Sequence, residues 1–364
     1  MSLKCGIVGL PNVGKSTLFN ALSNGGAESA NFPFCTIDPN VGQVSIPDER
    51  LLNLSKIAKS ASVIPTAIEF VDIAGLVAGA AEGKGKGNAF LSHIREVDLI
   101  IHVVRCFIDD DIIHVEGNVD PDRDIAIIES ELILKDLESV EKRVDTLKKQ
   151  SKSGDKAFKA QLDVVDRLRT HLEDGNTART FEVSEDDKAV YRDLFLLSSK
   201  PVLYACNVGE TDLEEGNELV ETVKKVASEF GDEVVIFCAK IEAEIAELDE
   251  DEREMFLEEL GVSSAGLDRL IHAAYAELGL ITYFTVGPKE ARAWTIKKGT
   301  KAPQAAGVIH TDFEKGFIRA ETIAYDHFME FNGEKGAKEA GKMRQEGKEY
   351  VVSDGDTMLF RFNV

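Results

Sequence analysis

Residues Gly9-Leu10-Pro11-Asn12-Val13-Gly14-Lys15-Ser16-Thr17 fit the pattern G-x-x-x-x-G-K-[ST]. An apolar run at 4–9 precedes them, and a stretch at 15–24 with Leu18, Ala21 and Leu22 on one helical face follows. Strand, glycine-bearing turn and helix in that order admit few folds. The glycines let backbone N–H groups curl around a β-phosphate at a helix N-terminus, Lys15 reaches the β and γ oxygens, and the Ser16 hydroxyl can ligate magnesium. Asn12, Val13, Gly14, Lys15, Ser16 and Thr17 are therefore candidate nucleotide ligands. Lys15 is also a candidate catalytic group, and Mg2+ is the implied cofactor.

Further strand-length apolar runs follow at 41–45, 67–74, 98–107, 201–208 and 233–240, several apolar almost throughout, as strands buried on both faces are. Helical periodicity at 48–59, 88–97 and 217–230 alternates with them. The alternation predicts an α/β domain with a mostly parallel sheet and helices on both faces. Between 98–107 and 201–208 strand character disappears. There Leu134, Leu137, Val140, Val144 and Leu147 recur at helical spacing, as do Phe158, Leu162, Val165, Leu168 and Leu172, on either side of Lys152-Ser153-Gly154-Asp155. An antiparallel helical hairpin inserted into the sheet domain is expected. After a helix near 264–279, short strand-like runs at 281–286, 291–297, 316–320, 349–352 and 357–363 and two short helical pieces predict a small α+β domain. The expected organisation is a nucleotide domain from 1–120 and 200–278, a hairpin from 121–199 and a final domain from 279–364.

Charge limits the partners. Sixty-five Asp and Glu against 42 Lys and Arg leave a formal charge of −23, so any contact with RNA must use a local patch. Two patches qualify. From 142 to 169 the hairpin carries nine Lys or Arg against four Asp, and 335–348 holds five basic residues against Glu339 and Glu346. Residues 210–259 invert the balance with 19 acidic residues, a solvated face. The five cysteines are scattered without C-x-x-C spacing, which indicates neither a disulfide framework nor a zinc site and makes a reducing cytoplasm the expected location. No apolar run exceeds strand length, so no membrane is expected.

Asp72 closes the run at 67–74, where its carboxylate emerges beside the phosphate loop and can hold magnesium directly or through water, with the Gly75 N–H meeting the γ-phosphate. Glycines at 79, 83, 85 and 87 suit either a switch segment or a flexible surface loop. At this point a resemblance becomes specific. Asn31-Phe32-Pro33-Phe34-Cys35-Thr36, Asp72-Ile73-Ala74-Gly75-Leu76 and Asn207-Val208-Gly209-Glu210 are similar to the switch and base-recognition motifs of the Obg-like P-loop proteins, above all the YchF subfamily. The resemblance covers the whole chain and extends to 302–307 and 310–320, which look like parts of a C-terminal TGS domain of β-grasp type. It implies that Thr36 joins Ser16 on magnesium, that Cys238-Ala239-Lys240 is the short S-A-K loop near the base with Cys in place of Ser, and that the partner is the ribosome or its large subunit.

Two departures from ordinary GTPases carry chemistry. The N-K-x-D motif reads guanine with an Asp that accepts from the ring N–H and the exocyclic amine, whereas Asn207-Val208-Gly209-Glu210 lacks the Lys and lengthens the acid by a methylene. Adenine offers an amine donor and a ring acceptor that the Asn207 amide or nearby backbone can meet. The resemblance implies ATP preferred over GTP, and tolerance of both is the alternative. The second departure is Leu76, where a Ras-type protein has the Gln that orients water. Intrinsic hydrolysis should then be slow, and His114, in the loop after 98–107, is a candidate for positioning that water, the plain alternative being a histidine satisfied within its loop. The expected function is a monomeric, magnesium-dependent ATPase switch. A GTPase switch of the Obg type and an RNA- or ribosome-binding module indifferent to nucleotide are the alternatives, and a small-molecule kinase is disfavoured by the motif order.

Overall fold

Five parallel-paired strands carry the first sheet. In the computed structural model, which describes residues 3–25, 41–73, 93–152, 154–262 and 264–363, these are β1 (Lys4–Val8), β4 (Ala67–Asp72), β5 (Leu99–Arg105), β6 (Val202–Asn207) and β7 (Glu233–Phe237). With β2 (Val41–Ser45) at one edge the order is β2-β4-β1-β5-β6-β7, and β1 pairs in parallel with both β4 and β5. Central position explains composition: every residue of β5 and β6 is buried, which their near-continuous apolar sequences permit. Helix α1 (Lys15–Gly25) follows β1 directly and buries Leu18, Ala21 and Leu22, the face its periodicity predicts.

The insertion between β5 and β6 is a hairpin of two helices, Pro121–Ser151 and Lys156–Glu173. Asp120 caps the first, accepting from the Arg123 N–H, with Pro121 at the first helical position where its missing N–H costs nothing. Val140, Val144 and Leu147 bury against Val165, Leu168 and Leu172. Leu134 does not belong to this seam. It is 50% exposed, and Ile133 takes the buried position. Asp136, buried within the first helix, accepts from the Leu197 and Ser198 N–H groups and the Ser198 hydroxyl, and so ties the returning segment to the hairpin.

A second compact unit comprises residues 45–68 and 275–364, the first being 1–44 and 69–274. Its sheet has the order β11-β10-β12-β8-β9-β3, built from β8 (Leu280–Val286), β9 (Ala291–Lys297), β10 (Phe317–Ala324), β11 (Arg344–Glu346), β12 (Asp356–Phe362) and β3 (Val63–Ile64). Strands β8 and β9 are antiparallel, as are β10 and β12, while β12 and β8 run parallel. Tyr283, Ile296, Ala305, Phe317 and Phe360 form one apolar cluster; Phe284, Ala293, Ile323 and Phe328 form another with Leu51 and Leu54. Those two leucines belong to helix α2 (Glu49–Ala58), so 45–68 departs from the expected 1–120 nucleotide domain. The reason is pairing and burial: β3 adds to β9, and α2 covers apolar residues of β8 and β9. The expected run at 349–352 contributes one isolated bridge, Lys301 with Val351, instead of a strand. No helix among the described residues is long and apolar enough to cross a membrane.

Candidate functional site

The turn between β1 and α1 can be built only with glycine at two places. Gly9 has φ 151°, and a Cβ there would lie 2.5 Å from the Val103 carbonyl oxygen on β5; Gly14 has φ 99°, and its Cβ would lie 2.3 Å from Asn207 Nδ2. Asn12, at φ 62°, adopts the left-handed conformation that asparagine tolerates, and its Nδ2 donates to the Ile113 carbonyl at 3.0 Å. Lys15 lies buried at the head of α1, its Nζ donating to the Leu10 carbonyl at 2.6 Å. Burial lowers its pKa to about 8, an effect the Asp72 carboxylate opposes; burial raises the Asp72 carboxyl, and Lys15 opposes that. The arrangement is a lysine at the head of a helix, folded back on a glycine-bearing loop, with a carboxylate close enough for each to oppose the other's shift.

Asn207 is the second organiser. It ends β6 at 4% exposure, and its amide is already engaged: Nδ2 donates to the Val13 carbonyl at 3.0 Å and Oδ1 accepts from the Ala239 N–H at 2.9 Å. It thereby fastens the phosphate loop to the 238–240 loop and acts first as a brace. Around it lies a cavity of about 710 Å³ lined by Asn12, Gly14, Thr17, Asn207, Val208, Glu210, Cys238, Ala239 and Lys240, a volume in the range of small-molecule sites. Nine of the residues singled out from sequence thus meet at one cavity. Lys240 Nζ sits 2.5 Å from Glu210 Oε1. Cys238 is buried, and burial raises its thiol above its ordinary value, which keeps it protonated.

Another stretch of the wall was not anticipated from sequence. Phe107, Ile108, Asp109 and Ile112 line it, and Arg105 holds it in shape. That arginine ends β5 at 2% exposure and donates to three backbone carbonyls: Phe107 at 3.2 Å, Ile112 at 2.9 Å and Asp109 at 3.1 Å. Its guanidinium also lies 4.6 Å from the centre of the Phe107 ring. A lone arginine closing an otherwise apolar strand was the signal available, and it does not say which loop it folds.

His114 has its partners within the chain. It is 6% exposed, with Nε2 at 2.9 Å from Asp124 Oδ2 and Nδ1 accepting the Glu116 N–H at 3.2 Å. Both ring nitrogens are bound within the chain, and the ring links this loop to the first hairpin helix. Thr36, Gly75, Leu76, the 31–36 motif and the glycines at 79, 83, 85 and 87 lie outside the described residues, as do 88–92 of the predicted helix. Ser16 is exposed and Asp72 half-buried; hydroxyl and carboxylate oxygens are the donors a hard cation takes, and Mg2+ needs only one or two from protein beside phosphate and water.

A mostly parallel sheet with this loop between β1 and α1 defines a P-loop nucleoside-triphosphatase fold of the GTPase type. Residues 4–137 match the family model described as 50S ribosome-binding GTPase, and 280–363 match the C-terminal domain of YchF GTPases, described as a protein of unknown function. The chain is 56% identical over 366 residues, covering all of both sequences, to a protein of Bacillus subtilis named ribosome-binding ATPase YchF. It is 48% identical over 369 residues to Obg-like ATPase 1 of Pongo abelii, covering all of this chain and 93% of that one. The solved structure of the Schizosaccharomyces pombe YchF GTPase superposes with a TM-score of 0.89 at 42% identity, covering 99% of this chain and 98% of that one. The chain belongs to the YchF family of Obg-like P-loop proteins.

Proposed function

We propose that this protein is a magnesium-dependent switch that binds and hydrolyses ATP in preference to GTP and docks on the large ribosomal subunit. One observation carries the nucleotide half: in the cavity beside the phosphate loop, where Phe107, Ile112 and Val208 stand beside the acidic Asp109, Glu244 and Glu247, the acid of the base motif, Glu210, is paired with Lys240. With the acid of the base motif engaged by a lysine, that motif suits adenine better than guanine. Glu210 remains the feature that favours the GTPase reading, and the names of the relatives divide between the two activities.

In this reading Ser16 and Thr36 hold magnesium with Asp72, directly or through water, and the ion neutralises charge on the phosphoryl oxygens. Gly75 meets the γ-phosphate. Leu76 has no group to orient water, so isolated turnover is slow and a partner accelerates it. The names of the relatives support a ribosomal partner, and a cytoplasmic monomer completes the reading. Exposed Lys142, Lys148, Lys149, Lys152, Lys156 and Lys159 near the hairpin tip, together with 335–348, are the surfaces proposed for rRNA. Arg167 and Arg169 contribute less, being paired with Asp163 and Asp187 and with Asp166 and Glu173.

Equilibrium titration of labelled ATP and GTP with magnesium tests the base preference: ATP tighter by about tenfold, a gap of about 1.4 kcal/mol, is the expected result, and GTP tighter by the same factor returns the protein to the GTPases. Cosedimentation with large subunits in ADP and in a non-hydrolysable ATP analogue tests the switch. Equal binding in both sinks it.

A further inference from the structure

We propose that Lys240 is a specificity-determining residue that denies guanine the Glu210 carboxylate. This deepens the reading of the cavity beside the phosphate loop as the base pocket, and rests on it. Glu210 opens the turn Glu210–Asp212 after β6, Lys240 is the second residue of the helix Ala239–Ile245 after β7, and both line the cavity. Thirty positions apart in sequence, they are joined by Nζ to Oε1 at 2.5 Å. The Asn207 brace fixes their meeting, because its Oδ1 holds the Ala239 N–H and so sets where the helix carrying Lys240 begins.

The chemistry of the two bases decides the consequence. Guanine presents two adjacent donors, the ring N–H and the exocyclic amine, and a carboxylate reads them as a fork, one oxygen to each. With an ammonium on Oε1, the fork is half occupied and its charge compensated. Adenine presents an acceptor beside a donor on the same edge. A bare carboxylate offers two acceptors, the complement of guanine; the Lys240–Glu210 pair offers a donor beside an acceptor, the complement of adenine. In the free protein the pair is open to solvent, with side-chain exposures of 69% and 50%, and adds little to fold stability. Its effect falls on selection of the base, where rejecting the wrong partner matters as much as holding the right one.

The experiment is a titration of ATP, GTP and inosine triphosphate against the full-length chain with magnesium, on the parent and on Lys240→Met, Lys240→Arg, Glu210→Gln and the Lys240→Met/Glu210→Gln double variant. Lys240→Met is expected to lower the ratio Kd(GTP)/Kd(ATP) by about tenfold, Lys240→Arg to keep it within about twofold of the parent, and Lys240→Met to leave it unmoved once Gln stands at 210. Inosine triphosphate, which lacks the exocyclic amine, should gain less than GTP. A ratio unchanged in Lys240→Met, or a shift that persists undiminished with Gln at 210, overturns the proposal. The ATP reading fails separately, on the parent's own ratio: a parent that prefers GTP removes that reading, while the change made by Lys240→Met still decides the role of Lys240.

Discussion

A methyl group at Gly14 would lie 2.3 Å from Asn207 Nδ2 on a backbone at φ 99°, so Gly14→Ala strains the loop and displaces its brace together. The expected loss is about 1–3 kcal/mol of stability, with triphosphate binding weakened by more than tenfold, read by thermal unfolding and titration. Lys15 gives a signature in pH. Its folded value near 8 lies below the ordinary 10.5, so between those values the unfolded chain holds a proton that the folded chain does not, and this group's contribution to stability rises with pH across that window. The cost of burying the ammonium is fully present below about pH 8. A bound triphosphate favours the ammonium, so binding takes up a proton around and above pH 8, and affinity falls by up to about tenfold per pH unit there. Calorimetry in buffers of different ionisation enthalpy measures that uptake. None near pH 8.5, about half a unit above the free value, would place Lys15 away from the phosphates.

At the scale of elements, the loop after β5 joins three parts of the site. Arg105 holds its carbonyls, Asn12 binds Ile113, and His114 reaches Asp124 on the first hairpin helix. Arg105→Met would take the donor from three partly buried loop carbonyls, at a cost of about 1–3 kcal/mol. The selective readout is hydrogen exchange at 106–113, which should quicken along with weaker nucleotide binding; unchanged protection there would mean that the loop is held by something else. In the hairpin, Leu168→Ala removes a fully buried residue from the seam and should cost about 2–5 kcal/mol in thermal or denaturant unfolding.

For the whole molecule, charge sets the condition of any ribosomal contact. A chain at −23 approaches RNA against its own field unless an exposed element carries the opposite sign, and the lysines near the hairpin tip form such an element. Binding to large subunits should therefore weaken with salt, and replacing Lys148, Lys149 and Lys152 by Glu should flatten log K against log salt by about 0.7 to 0.9 for each phosphate no longer neutralised. A slope unchanged in that variant would move the docking surface to 335–348 or elsewhere.

Sequence alone determined the phosphate loop, the mostly parallel character of the sheet around it and the hairpin, because each shows in neighbours a few residues apart: a glycine at a turn, a strand's apolar run, a stripe at helical spacing. Val140, Val144 and Leu147 were legible in that way. Tertiary structure decided the rest. Residues 45–68 joined the second sheet because Leu51 and Leu54 found their apolar partners beyond residue 280. His114 met Asp124 on the hairpin, and Asn207 became a fastener between two loops. Arg105 acquired three carbonyls, and Glu210 a lysine thirty residues on. A hydrogen-bonding side chain carries no record of its partner in its own sequence neighbourhood; only folding fixes which group it meets, and with it the chemistry left free for a ligand.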